Sequence, residues 1–410
     1  GGALHFTIYL IIKIKTPIKS DFSVMYDAAL NVSRNDFSAF QSGYFQTWAY
    51  QTPFVLYEAL LLRLFGNPFA IEFMNVIFMV GTNLLIYFIV KLIANEKIAL
   101  VIALLYAFYP APIFFSSLLT NQHISTFFIY LGIYLAMKSK NWEEIIFSGI
   151  SLSLGNLMRP EGIVILCSFI LVWILILCHA KRKNKCFSII KSAALFLVSY
   201  FAISAITNSL ITGLKINQNG ISNQCPEWKF VVGLDNTTDG IYTERNADIL
   251  QIKDPSIRKQ KTLRIIKSSF KNCDNVWTFL YNKTKLMWAS NETTSWTLQN
   301  YNHPLRITVI LAIDKAIYLF VFILLELALM GEIKKFFDKT HKMDSSFLLI
   351  LTVVLGYFTV YALIEIQTRY RYNIMPAVFI AASCVFLETG LQTANKSCAK
   401  KNSQFRSPKE

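Results

Sequence analysis

The chain reads as an all-α polytopic membrane protein of about ten transmembrane helices with a small extracytoplasmic α/β cap. Three observations carry that reading: an apolar composition, ten apolar runs in succession, and basic residues gathered in the short connections between them. Hydrophobic residues make up 54% of the chain and charged residues only 16%, with a mean hydropathy of +0.42. That is more apolar than a solvated domain surface allows.

A helix needs about 20 apolar residues to cross the hydrocarbon of a bilayer. The candidate spans are 1–15, 69–94, 97–119, 121–138, 143–158, 162–180, 187–212, 305–331, 345–366 and 373–391. The first is expected to be truncated, because the chain starts at Gly1 inside an apolar run. Within the third, Tyr109-Pro110-Ala111-Pro112 predicts a break, since proline removes a helix donor and clashes with the preceding turn.

Alternating these spans from an inward N-terminus puts Lys97, Lys138, Lys140, Lys181, Arg182, Lys183, Lys185, Lys334, Lys335, Lys339 and Lys342 on one side, which the positive-inside rule makes cytoplasmic. The opposite, extracytoplasmic side then holds residues 20–66, Arg159-Pro160-Glu161, the long segment 213–304 and residues 365–372. Long loops are largely exempt from the charge rule, so the lysines and arginines of 213–304 do not overturn this orientation. The organisation expected is a transmembrane module over 1–212 that includes a first outer loop at 16–68, the cap at 213–304, C-terminal spans over 305–394, and a basic cytoplasmic tail over 395–410. The formal charge of +15 follows these connections, which argues for orientation in a bilayer and against a nucleic-acid partner.

The first outer loop has its own pattern. Phe22, Met25, Tyr26, Ala29 and Leu30 recur at helical spacing behind Ser20-Asp21. Pro53 opens a second helix through Phe65 that Gly66 stops, and Glu58 and Arg63 would sit badly in lipid. Both helices are expected to lie along the outer surface, with Asp21 at their base. In the cap, Trp228 to Asp235 reads as a short strand ending in a turn, and Ile257 to Phe270 as a helix with Arg258, Lys261, Arg264 and Lys267 on its polar side.

Asp21 has two readings. It is a helix cap, or it is a general base at the membrane boundary, where partial desolvation raises a carboxylate's affinity for a proton. Asp27 and Asp36 are weaker candidates, the first facing another side of the helix and the second sitting in a solvated turn. Glu365-Ile366-Gln367-Thr368-Arg369-Tyr370-Arg371-Tyr372 is the densest polar and aromatic cluster at an outer boundary. It reads as a phosphate-binding lip, because guanidinium forks match phosphate oxygens, or as ordinary interfacial anchoring. Arg159 either pairs with Glu161 or helps hold a lipid phosphate. His123, in Thr120-Asn121-Gln122-His123, is either a hydrogen-bonded structural residue or a ligand. The seven cysteines form no CxxC pair and no spacing with histidine that suggests a metal site. Cys225 and Cys273 would be free to form a disulfide in an oxidising compartment.

Taken together, Asp21 behind the first span, two outer-surface helices, Tyr50-Gln51-Thr52-Pro53 running to Leu64-Phe65-Gly66, Arg159-Pro160-Glu161-Gly162 and the late Glu365 to Tyr372 cluster resemble the GT-C class of glycosyltransferases. The likeness is to the bacterial branch related to protein O-mannosyltransferases and the lipid A aminoarabinose transferase. It implies a plasma-membrane enzyme that takes a sugar from a polyprenyl phosphate at the outer face and transfers it with inversion to an envelope glycan, polymer or lipid. It implies Asp21 as the catalytic aspartate and Arg369, Tyr370 and Arg371 near the donor phosphate. Arg159, Glu365, Gln367, Tyr50, Asn121 and His123 would line the donor or substrate site, with no cofactor.

Two departures stand out. Relatives often carry a second acid near the start of the fourth span, where this chain has Asn121, Gln122 and His123. The adjacent Asp-Glu pair typical of the protein O-mannosyltransferases is absent from the first loop, which disfavours a protein acceptor. A polyprenyl phosphate is itself a good leaving group, so the chemistry needs chiefly a base and cations facing the departing phosphate. The competing readings are a transporter or flippase of lipid-linked saccharides, or a polymerase. No internal repeat supports a carrier built from two halves.

Overall fold

The computed structural model describes residues 7–8, 12–14, 16–180, 183–252, 254–271, 275–290, 292–337 and 345–386, and no strand occurs among them. In the first half of the chain the helices are α1 (Asp21–Ser33), α2 (Gly43–Thr47), α3 (Thr52–Phe65), α4 (Phe69–Ile93), α5 (Glu96–Ala107), α6 (Pro110–Phe115), α7 (Gln122–Lys138), α8 (Trp142–Met158), α9 (Gly162–His179) and α10 (Lys183–Gly213). There follow α11 (Trp228–Gly233), α12 (Pro255–Lys271), α13 (Val276–Ala289), α14 (Glu292–Thr297), α15 (Pro304–Phe337), α16 (Ser345–Leu363) and α17 (Arg371–Ala382). The tail 395–410 and Cys273 lie outside the described residues; Cys225 is a buried free thiol.

Among the described residues, α4, α9, α10, α15 and α16 are long and apolar enough to cross a membrane, against the ten spans expected. The difference comes from short helices and from the first expected span, 1–15, most of which lies outside the described residues. At 1.5 Å per residue, the 17 residues of α7 and of α8 reach about 25 Å, short of the roughly 30 Å hydrocarbon core. The third expected span ends early: Tyr109 takes an extended conformation (φ −73°, ψ 116°), and Pro110 then starts α6.

Small residues let α7 and α8 approach closely. A Cβ on Gly155 of α8 would lie 2.9 Å from the Ser125 carbonyl of α7, and Ser125 Oγ donates to the Gly155 carbonyl at 2.8 Å. α17 is held to α7 differently. Pro376 interrupts its hydrogen bonding, and the Tyr130 hydroxyl fills the gap by accepting from the Ala377 N–H and donating to the Asn373 carbonyl, both at 2.9 Å.

The first loop forms a core of its own. Phe22, Met25, Ala28, Ala29 and Val32 bury one face of α1 against α3, and Gly66 ends α3 in the left-handed region (φ 66°). The cap is helical rather than α/β. Among the described residues, extended pairing there is limited to the isolated bridges Trp48 with Asn223 and Ile241 with Ile366. The expected strand at Trp228 is α11, because Trp228, Val231 and Val232 sit at helical spacing and bury together against Cys225 and Ile249, overriding a run of β-forming residues.

Candidate active site

Between the first loop, the cap and the 365–371 segment lies a cavity of about 820 Å³. Asp21, the first residue of α1, lines it. Its backbone neighbour Ser20 makes no side-chain cap, and the Asp21 carboxylate instead accepts from Arg369, with Oδ2 3.1 Å from Nη2. The Arg369 guanidinium also lies 5.1 Å from the centroid of the Phe22 ring, on which Trp296 stacks. Two residues 348 positions apart are thus joined at one wall.

From Arg369 a polar chain runs inward. Arg369 Nε donates to Gln367, Gln367 donates to Glu365, and the Glu365 carboxylate meets Lys229 Nζ at 2.5 Å. Lys229 also donates to the Tyr370 hydroxyl at 2.8 Å. Burial opposes the Lys229 charge, but Tyr370 and Glu365 outweigh it and hold the ammonium above its ordinary pKa. Glu365 is only 3% exposed, so this pairing is what makes its charge tolerable. Burial likewise raises the Tyr50 and Tyr44 phenols, which line the same cavity.

Backbone contacts place Lys229 there. The Glu365 N–H donates to the Lys229 carbonyl at 2.9 Å, and the Ile366 N–H donates to the Gly240 carbonyl at 2.8 Å. Gly233, at the end of α11, packs so tightly on this stretch that a Cβ would come within 2.1 Å of the Ile364 carbonyl carbon. Lys283, almost fully buried, donates to the Gly233 carbonyl from the other side.

Behind the cavity wall, Arg159 pairs with Glu161, donates to Asn121 Oδ1 at 3.2 Å and lies 5.1 Å from the Tyr370 ring centroid. Asn121 in turn bridges Gln51 and the Met158 carbonyl, and Gln122 donates to the Arg369 carbonyl at 2.5 Å. The polar start of α7 therefore braces the site. Arg371 and His123 do not line the cavity. Arg371 donates to the carbonyls of Thr368, Trp288 and Ser290, tying α13 and the residues after it to the 368–371 turn. His123 is buried against Phe115, its Nδ1 2.5 Å from the Tyr372 hydroxyl.

Of the expected site residues, Asp21, Tyr50, Glu365, Gln367 and Arg369 line the cavity, while Arg159, Asn121 and Tyr370 support it. Lys229, Lys19, Trp48, Trp228, Tyr242 and Trp296 also line it and were not expected. No local pattern marked Lys229, whose position depends on residues 228–233 folding as a helix.

Residues 51–206, from the start of α3 into α10, match the family model of dolichyl-phosphate-mannose-protein mannosyltransferases. The match supports a GT-C class glycosyltransferase. It covers the brace formed by Gln51, Asn121 and Arg159, while Asp21, Lys229 and the 365–371 segment fall outside the matched residues. No curated protein matches the chain.

Proposed function

We propose that this chain is an inverting glycosyltransferase that moves a sugar from a polyprenyl-phosphate donor to an envelope glycan, polymer or lipid at the outer face of the plasma membrane. The observation that carries it is the Asp21–Arg369 pair on the wall of an 820 Å³ cavity that Lys229 and Lys19 also line. In this reading the acceptor hydroxyl gives its proton to Asp21 as its oxygen bonds to the anomeric carbon. The anomeric C–O bond breaks on the opposite face, and its electron pair leaves with the phosphate. Arg369, with N–H groups beyond the one on Asp21, and Lys229 face the charge that develops on that phosphate. One single displacement inverts the anomeric centre.

In this reading the short helices α5, α7, α8 and α17, the five long ones and the first expected span, 1–15, together make up the ten-span topology, with the cavity outside. Mannose, named by the matching family, is the first sugar to test. Purified protein in nanodiscs is given polyprenyl-phosphate mannose labelled in the sugar, with envelope fractions as acceptor. Free polyprenyl phosphate and covalently labelled glycan are expected in equal amounts. Movement of the intact donor across the bilayer without its consumption would overturn the reading in favour of a transporter.

A further inference from the structure

α12 carries six basic residues and no acidic one over Pro255–Lys271. Two of the six turn toward the cap: Arg258 donates to the carbonyls of Ile252 and Gln224, and Lys261 pairs with Asp248. The other four, Lys259, Arg264, Lys267 and Lys271, are exposed, and none is ion-paired among the described residues. Lys259, Leu263, Lys267 and Lys271 follow one another every four residues, with Arg264 alongside, giving a cationic stripe about 18 Å long.

This stripe adjoins the candidate site. The inner face of α12 packs on α11 and on the 3-10 turn Ala247–Gln251, and these two elements supply Trp228, Lys229 and Leu250 to the cavity wall. Ile265 and Ile266, the apolar residues of that inner face, are used in this packing. A helix that docks on a bilayer needs a free apolar face to sink into the acyl boundary, and among the described side chains of α12 the exposed large apolar ones are Leu263 and Ile257, set among charges.

We propose that the outward face of α12 is a docking surface for a polyanionic glycan, a polymer with phosphate or carboxylate groups along its chain, which it feeds to the cavity as acceptor. The inference rests on the glycosyl-transfer reading of the cavity and adds the chemical class of the acceptor. Four unpaired cations attract such a polymer over its length, and the neutral aromatic wall of Trp48, Tyr50 and Trp228 receives the sugar unit at its end.

The test compares wild type, the variant K259Q/R264Q/K267Q/K271Q and Asp21→Asn in zwitterionic nanodiscs. The probe is inorganic polyphosphate, with neutral dextran as the control. The quadruple variant is expected to bind polyphosphate roughly tenfold more weakly at low salt, with a flatter salt dependence. Asp21→Asn is expected to bind it as wild type does while losing transfer, so a failure of docking and a failure of the base assignment give different results. Polyphosphate affinity in the quadruple variant within about twofold of wild type overturns the proposal. So does unchanged polyphosphate binding accompanied by lost adsorption to vesicles rich in anionic lipid, which would assign the stripe to the bilayer.

Discussion

Replacing Asp21 by Asn separates the proposed proton-accepting role of this side chain from its place in the structure. The Asp21 and Arg369 side chains are 42% and 19% exposed and meet at 3.1 Å, so their ion pair is worth at most about 1 kcal/mol after solvent screening. Asn keeps a carbonyl oxygen for the Arg369 N–H, and the buried face of α1 does not involve residue 21. Folding and insertion should therefore survive, with a melting shift of no more than about 2–4 °C. The amide cannot take the acceptor proton. A general base contributes on the order of 10²–10⁴ in rate, or roughly 3–5 kcal/mol in the barrier. The assay is the initial rate of polyprenyl phosphate release in nanodiscs at saturating donor, beside a thermal unfolding curve of the same sample. A rate within tenfold of wild type in a well-folded variant would refute Asp21 as the base.

Other outcomes follow from the cavity's supports. Lys229→Ala strands the Glu365 carboxylate, 3% exposed, without its cation and should cost about 3 kcal/mol in unfolding free energy, whereas Lys229→Arg should recover much of it. Glu58 is fully buried in α3 with neither carboxylate oxygen hydrogen-bonded, and burial raises its pKa well above 4.5. Its tolerance in the fold is complete below that ordinary value and is lost as pH rises through the folded one, so Glu58→Met should raise the melting temperature more at pH 8 than at pH 5. Burial lowers Lys283 from 10.5 to about 7. Between these values the unfolded chain binds a proton that the folded chain lacks. Stability of the cap should therefore climb with pH across that window by up to about 1.4 kcal/mol per unit, and thermal unfolding of Lys283→Met should lose that slope.

The parts of this architecture legible in the sequence are those governed by local chemistry. Pro53 and Gly66 bracket α3, the Phe22-Met25-Ala29 spacing marks the buried face of α1, and Pro110 breaks the third apolar run. Asp21 and Arg369 were each legible as candidates from polarity at a span boundary, although their contact is a tertiary fact. Lys229 was not legible, because the β-branched and aromatic residues around it favour a strand in isolation and tertiary burial makes them a helix. Nor was the fate of Arg371, whose guanidinium has the right chemistry for phosphate but is taken up by backbone carbonyls that only the folded cap brings near. Hydropathy registers the apolar content of α7 and α8 and not the polar turns that limit each to 17 residues.

The contact between Asp21 and Arg369 bears on the order of events during synthesis. Asp21 leaves the ribosome early, yet the guanidinium that orients it is translated 348 residues later. Until the turn before α17 has been made, Asp21 lacks its guanidinium partner, and of the cavity's cations only Lys19 and Lys229 have been synthesised. On the proposed glycosyl-transfer reading, a chain interrupted before residue 369 would carry the candidate base without the arginine that completes its wall.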